Sequence, residues 1–167
     1  MVKAALGYGS KIGEREENLK RGLALLEEGG LVRVLAVSPL YFTKPVDYED
    51  QDWFVNGAAV VETSLSPREL LGLLKSVETR VGRTKGGVRF GPRVLDMDIL
   101  LYGDETVRED DLEIPHPRMD KRRFVLAPLC DIVPDWVHPL RGITVRGLLD
   151  ALGENPGDVV PLGNGPS

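Results

Sequence analysis

The sequence predicts an α+β fold in which two helices cover one face of an antiparallel sheet. Short β-rich runs end at glycine, proline or polar turns, and two segments carry apolar residues at helical spacing. Their order is strand, helix, strand, strand, helix, strand, which is the order of the ferredoxin-like split βαβ fold. A length of 167 residues with 42% hydrophobic residues suits one domain with a sizeable core.

The first three elements lie before residue 44. Residues 2–9 predict a strand, and residues 14–28 predict a helix with leucines along one face. The helix is expected to end at Gly29, which begins a pair of glycines. Residues 31–43 are rich in valine, leucine and aromatic residues and predict one long strand, bent near Pro39 because proline lacks a donor for the sheet.

The next three elements repeat the pattern. Residues 54–63 predict a strand, and Ser66 with Glu69 forms a capping box that begins a second helix. Apolar residues at spacings of three and four continue that helix until Gly82, where it is expected to end. Residues 94–102 then predict the last strand of the core.

The C-terminal part of the sequence is less regular. Two short helices are expected, over residues 124–129 and 145–152. We therefore predict one domain over residues 1–152. The tail, residues 153–167, is rich in glycine and proline and is expected to be loosely attached.

Composition excludes several classes of protein. A net charge of −5 disfavours general nucleic-acid binding, and the apolar runs are too short to span a membrane. The only cysteine, Cys130, excludes an internal disulfide and a cysteine-rich zinc site. No signal peptide is predicted at the N-terminus. We expect a cytoplasmic monomer.

Two aspartates in the last core strand form a candidate metal site. Side chains alternate along a strand, so Asp96 and Asp98 share a face and lie about 6–7 Å apart. Hard carboxylate oxygens suit Mg²⁺, which fills its remaining positions with phosphate oxygens and water. The same pattern is also compatible with two solvated aspartates on an exposed strand face.

Basic residues surround this pair in the sequence. Residues 80–93 carry five basic side chains and no acid, and they include the glycine pair 86–87, which favours a mobile loop. A second basic cluster lies at residues 118–123. Cations beside a metal-binding strand are typical of phosphoryl transfer from ATP, where positioning and charge neutralisation provide most of the catalysis.

Two other functions remain open from these residues alone. Asp-x-Asp also occurs in metal-dependent glycosyl transfer from nucleotide sugars, although the chain is short for the α/β domain that this chemistry needs. A ferredoxin-like domain without catalytic activity is the second alternative.

The order of the motifs resembles that of a known enzyme family. The resemblance extends over about residues 6–134 and rests on these motifs: Gly9-Ser10, Tyr41-x-Thr43-x-Pro45, Asp50-Gln51, Phe54-x-Asn56, Glu62-Thr63, Arg89-Phe90-Gly91-Pro92-Arg93-x-Leu95-Asp96-x-Asp98-Ile99, Ile114-Pro115-His116-Pro117-Arg118 and Arg122-x-Phe124-Val125-Leu126. The sequence is similar to 6-hydroxymethyl-7,8-dihydropterin pyrophosphokinases of folate biosynthesis. This resemblance implies transfer of the pyrophosphoryl group of ATP to the hydroxymethyl group of the pterin, with release of AMP.

The resemblance also implies roles for individual residues. Asp96 and Asp98 are expected to bind two Mg²⁺ ions with ATP, and Arg83 and Arg93 to bind ATP and act in catalysis. Further expected ATP contacts are Lys75, Glu78, Lys85, Phe90, Ile99, His116 and Arg122. Expected pterin contacts are Thr43, Pro45, Val46, Phe54, Asn56 and Phe124, with the two aromatic rings stacking on the ligand.

Four positions depart from the common family pattern. Lys11 stands where asparagine is usual, and Asp47 stands where glycine often follows the proline of the pterin loop. Phe90 replaces a frequent tryptophan, and Lys85 replaces a frequent arginine. Lysine offers no bidentate fork, so a two-point phosphate contact is not expected from Lys85.

Overall fold

The computed structural model describes residues 1–11, 14–44, 53–84, 94–155 and 157–162, with only the backbone described at residues 83 and 84. The strands are β1 (Val2–Ser10), β2 (Val32–Val37), β3 (Tyr41–Thr43), β4 (Phe54–Thr63), β5 (Asp96–Tyr102), β6 (Val107–Glu109), β7 (Leu112–Ile114) and β8 (Val159–Pro161). The helices are α1 (Arg15–Glu28), α2 (Pro67–Thr84), a 3-10 turn (Met119–Lys121), α3 (Arg123–Ile132) and α4 (Val145–Ala151).

The main sheet confirms the predicted α+β fold. Its strand order is β5–β1–β4–β3–β8, with β2 also pairing with β4, and every pair is antiparallel. The first and last core strands, β1 and β5, therefore lie side by side, although β1 ends at Ser10 and β5 begins only at Asp96. This arrangement is that of the ferredoxin-like fold.

The strand predicted over residues 31–43 is divided in two. Between β2 and β3, the Ser38 hydroxyl accepts a hydrogen bond of 2.9 Å from the Ala58 backbone N–H, and the Ser38 N–H donates to the Ala58 carbonyl at 2.8 Å. Pro39 follows and has no N–H to continue a ladder. The expected bend is therefore an interruption, and β2 and β3 pair with opposite ends of the ten-residue strand β4.

The second helix begins as predicted but ends later. Ser66 N–H donates to Glu69 Oε1 at 2.9 Å, and Glu69 N–H donates to Ser66 Oγ at 3.2 Å, which is the reciprocal capping box. The predicted end at Gly82 is wrong, because α2 continues to Thr84. A lone glycine costs only about 1 kcal/mol inside a helix, which tertiary packing readily offsets.

Other observed element boundaries also differ from the predicted ones. Strand β5 begins at Asp96, not residue 94, and α3 extends to Ile132, with Pro128 inside it. The β6–β7 hairpin was not predicted, since its acidic turn lacks a strong strand signal. None of the helices within the described ranges is long and apolar enough to cross a membrane.

Apolar side chains form a core on each face of the sheet. Alternate residues of β1, β4 and β5 pack with α1 and α2, and the fully buried Leu19, Leu70 and Leu74 come from those helices. On the opposite face, Leu126 and Leu129 of α3 pack with α4 against Ala5 and Ala58. The α3–α4 layer covers only part of this sheet face, and the cavity described below opens on the remaining part.

The expectation of a loosely attached tail is wrong for residues 157–162. Strand β8 pairs with β3, and Leu162 N–H also donates to the Leu40 carbonyl at 2.8 Å. The edge of β3 offered unpaired backbone groups that this segment satisfies. A sequence pattern of only three apolar residues between glycines and prolines gives no clear signal for such a strand.

Candidate active site

A cavity of about 610 Å³ opens on the sheet face opposite α1 and α2. Side chains from five strands and from the N-terminal end of α3 meet there. The lining residues are Gly7, Tyr8, Gly9, Ser10, Lys11, Thr43, Lys44, Phe54, Asn56, Gly57, Asp96, Asp98, Leu100, His116, Lys121, Arg122, Arg123, Phe124, Val125, Asp158 and Val159. Residues from the two predicted subsites, for nucleotide and for pterin, therefore line one continuous cavity.

The floor of the cavity consists of glycines flanked by functional side chains. In β1, Gly9 lies opposite Asp96 and Gly7 opposite Asp98. On its other side, Gly9 lies opposite Asn56 of β4. The row Asp96–Gly9–Asn56 crosses three neighbouring strands, so the backbones of Asp96 and Asn56 are about 10 Å apart. The Asn56 amide oxygen extends into the space above the glycine between them.

Helix α2 fixes the strand that carries the aspartates. Glu78 Oε2 accepts a hydrogen bond of 2.8 Å from the backbone N–H of Met97, which lies between Asp96 and Asp98. Met97 itself is buried in the core below. This bond and this packing hold β5 so that both carboxylates remain on the cavity face.

His116 supplies a neutral ring next to the carboxylates. Burial lowers the pKa of His116 below its ordinary value of 6.5, against the opposing effect of the nearby Asp98. Its Nδ1 accepts a hydrogen bond from the Arg118 N–H at 3.2 Å. In the neutral ring the proton is then on Nε2, which leaves an N–H donor for a ligand in the cavity.

Each of the two predicted stacking rings is covered by a cation. Lys11 Nζ lies 4.8 Å from the centroid of Phe54, and Arg122 Cζ lies 5.6 Å from the centroid of Phe124. Both distances are within the range for a cation–π interaction. Lys11, which stands where the family usually has asparagine, therefore has a structural role. Its long cationic side chain reaches the Phe54 ring, which the shorter asparagine would not cover.

The amide of Asn56 is held in a fixed position at the other end of the cavity. Asn56 Nδ2 donates to Thr43 Oγ1 at 2.7 Å, which ties β4 to β3. A Cβ atom at position 9 would lie well inside 3.0 Å of Asn56 Oδ1. Glycine at this position is therefore what lets the amide extend across β1.

Many of the predicted site residues lie together in the cavity, and others do not. Those in the lining are Thr43, Phe54, Asn56, Asp96, Asp98, His116, Arg122 and Phe124. Lys75 is exposed on α2, Glu78 bonds to β5, and the side chain of Ile99 is buried in the core, so these three do not line the cavity. Pro45, Val46, Lys85, Phe90 and Arg93 lie outside the described residues, as does the side chain of Arg83.

Several lining residues had no predicted role. Lys121 and Arg123 belong to the second basic cluster, so the charge pattern indicated them without assigning a contact. Lys44 adjoins the predicted pterin residue Thr43. Asp158 and Val159 had no signal at all, because only the pairing of β8 with β3 brings them to the cavity.

The fold and the cavity define a ferredoxin-like α+β protein in which a cavity lined by described residues joins a carboxylate pair to an aromatic and amide end. The sequence model described as 7,8-dihydro-6-hydroxymethylpterin-pyrophosphokinase matches residues 5–134. The chain therefore belongs to this pyrophosphokinase family, as the motif order predicted.

Known relatives agree with this assignment. The chain is 49% identical over 129 residues to the 2-amino-4-hydroxy-6-hydroxymethyldihydropteridine pyrophosphokinase of Bacillus subtilis, and the match covers 77% of each protein. It is 42% identical over 149 residues to a folic acid synthesis protein of Schizosaccharomyces pombe, but this match covers 89% of the chain and only 20% of that relative.

Solved structures support the fold alone. A crystal structure of Plasmodium falciparum HPPK-DHPS superposes with a TM-score of 0.73 at 19% sequence identity. The match covers 90% of this chain and 44% of that one. The chain thus spans less than half of the length of these two longer relatives.

Proposed function

We propose that this chain transfers the pyrophosphoryl group of ATP to the hydroxymethyl group of 6-hydroxymethyl-7,8-dihydropterin and releases AMP, in folate biosynthesis. The observation that carries the proposal is that, in a member of the pyrophosphokinase family, the described residues of both predicted subsites line the same cavity. Its carboxylates and cations suit a metal–polyphosphate, and its aromatic rings and amide suit a flat heterocycle.

The carboxylate pair fits Mg²⁺. Asp96 and Asp98 present hard oxygen ligands to the cavity, and within the described residues no group of three or more His, Cys, Asp or Glu side chains could hold a metal ion. Such an incomplete ligand set suits Mg²⁺, which uses one or two carboxylates and fills its shell with phosphate oxygens and water. When bound, Mg²⁺ neutralises phosphate charge and favours ionisation of a nearby hydroxyl group.

The cations of the cavity complement the phosphates. Lys121 and Arg122 line the cavity beside His116, whose Nε2–H adds a neutral donor. Arg122 also lies over Phe124, so this side chain connects the nucleotide end of the cavity to the heterocycle end. Arg83, Lys85, Phe90 and Arg93 are proposed to complete the nucleotide site, as the family resemblance implies.

The other end of the cavity suits the pterin. Phe54 and Phe124 offer ring faces, and an aromatic stack is worth about 0.5–1.5 kcal/mol beyond the burial of apolar area. Asn56, held by Thr43, keeps an amide oxygen for N–H groups at the edge of the heterocycle. Pro45 and Val46 are proposed to complete this end, and a cytoplasmic monomer is proposed as the working state.

The test is AMP formation in a mixture of the protein, ATP, Mg²⁺ and the reduced pterin. Asp96→Ala and Asp98→Ala are expected to lower turnover by at least about 10³-fold, because transferring phosphates need the metal for charge stabilisation. Asp110→Ala is the matched control, since this aspartate lies in the exposed β6–β7 turn.

Thermal melts of all variants check that the fold is retained. Near-wild-type turnover in a folded Asp96→Ala or Asp98→Ala variant would refute the metal assignment. Absence of AMP with the unaltered protein, together with absence of pterin binding, would refute the proposed function itself.

A further inference from the structure

The C-terminal strand forms a wall of the cavity at its heterocycle end. In the β3–β8 pair, Val159 lies opposite Thr43, and the next backbone bond runs from the Lys44 N–H to the Asp158 carbonyl at 2.8 Å. Asp158 and Val159 both line the cavity. Asp158 therefore lies at the cavity wall, one residue before the partner of Thr43, whose hydroxyl accepts the hydrogen bond from Asn56.

Side-chain bonds fix the backbone that precedes this strand. The Arg123 guanidinium donates to the carbonyls of Leu152, Gly153 and Glu154 at 3.4, 3.1 and 3.2 Å. Asn155 Nδ2 donates to the Val159 carbonyl at 2.7 Å. None of these bonds uses the Asp158 carboxylate, so the segment holds its position independently of that side chain.

Asp158 is an exposed residue in the lining of the cavity, where a ligand can reach its carboxylate. Within the described ranges it forms no ion pair closer than 4.0 Å, although the backbone N–H of Lys44 donates to the Asp158 carbonyl. At the opposite end of the cavity, Asp96 and Asp98 suit a metal–phosphate group. A carboxylate without a metal repels phosphate, so the favourable partner at Asp158 is a group rich in N–H donors.

We propose that Asp158 accepts hydrogen bonds from the amino and amide N–H groups at the edge of the bound heterocycle, which makes the C-terminal strand part of the substrate site. The inference rests on the proposed function and deepens it. Two N–H groups on adjacent ring positions present the same paired donors as a guanidinium group, which carboxylates bind through two parallel hydrogen bonds.

The test compares two ligands that differ only at this edge. The first is 6-hydroxymethylpterin, with an amino group at ring position 2, and the second is the analogue with an oxo group there. Titration calorimetry gives both affinities for the unaltered protein, for Asp158→Asn and for Glu154→Gln. Glu154→Gln is the matched control, because it removes one charge from the same segment outside the cavity lining.

Asp158→Asn is expected to weaken binding of the amino ligand by about 10-fold or more, since hydrogen bonds to a charged group are worth about 1.5–3 kcal/mol. Binding of the oxo analogue, whose oxygen faces the carboxylate, should not weaken. Affinity for a non-hydrolysable ATP analogue should stay within twofold, and Asp158→Glu should restore part of the preference for the amino ligand.

An unchanged preference in Asp158→Asn would overturn the inference, while turnover by the unaltered protein would leave the proposed function intact. Loss of affinity for all three ligands alike would also overturn it, because a purely structural role predicts that result. If the unaltered protein binds neither pterin and forms no AMP, the proposed function fails first.

Discussion

Replacement of Gly9 by alanine tests whether the glycine floor determines the position of the Asn56 amide. Gly9 does not have a positive φ, so the backbone conformation itself accepts alanine. The obstacle is the added methyl group, which would overlap with Asn56 Oδ1. To relieve the overlap, the amide must move away from Thr43, to which it donates at 2.7 Å.

The cost follows from the two contacts that change. Loss of the Asn56–Thr43 bond costs about 0.5–1.5 kcal/mol, and overpacking costs about 1–3 kcal/mol. The smaller conformational freedom of alanine in the unfolded chain offsets about 0.4–1 kcal/mol. We therefore expect Gly9→Ala to lower the free energy of unfolding by about 1–3 kcal/mol.

In an Asn56→Ala background the overlapping amide is absent. The same Gly9→Ala change should then cost nothing or stabilise slightly, which gives a coupling energy of about 1–3 kcal/mol between the two positions. Denaturant unfolding of the unaltered protein, both single variants and the double variant measures this coupling. Additive effects, with a coupling below about 0.5 kcal/mol, would refute the role assigned to Gly9.

Two further predictions concern the ring at the heterocycle end and a buried histidine. Phe124→Ala should weaken binding of a pterin analogue by about 1–3 kcal/mol through lost stacking and burial, with a much smaller change in ATP affinity. Equal losses of affinity for the two ligands in titration calorimetry would make Phe124 a general packing residue. Burial lowers the pKa of His138 below 6.5, so the unfolded chain binds more protons and the free energy of unfolding should fall as pH drops below about 6.5. An asparagine side chain can accept the N–H bonds that His138 Nδ1 accepts from Leu140 and Arg141. His138→Asn should therefore reduce this pH dependence, measured by denaturant unfolding at pH 7.5 and 5.5. An unchanged difference in the free energy of unfolding between the two pH values would show that His138 is not its source.

Local sequence signals predicted most of the secondary structure. The capping box at Ser66 and Glu69 formed as expected, because both partners lie within one helical turn. The strand over residues 54–63 was predicted with its observed bounds. One error arose where a distant residue takes part: the backbone N–H of Ala58 donates to Ser38 at the point where β2 and β3 separate. The other was a boundary, since α2 continues past Gly82 to Thr84.

The same distinction applies to the site. The sequence by itself determined the alternation that places Asp96 and Asp98 on one face, and the ordered motifs determined the family. These features depend on residue identity and local spacing. Only the antiparallel register of three strands shows that the aspartates lie opposite glycines of β1. The same register places Asn56 opposite Gly9 on the other side of β1.

The tertiary structure alone decided what the C-terminal segment does. Residues 153–167 have a composition typical of a loose tail, yet β8 pairs with β3 and brings Asp158 to the cavity. Three residues have too little apolar pattern to specify a strand by themselves. The exposed edge of β3 and the carbonyls bound by Arg123 supply the hydrogen-bond partners, and those partners come together only when the chain has folded.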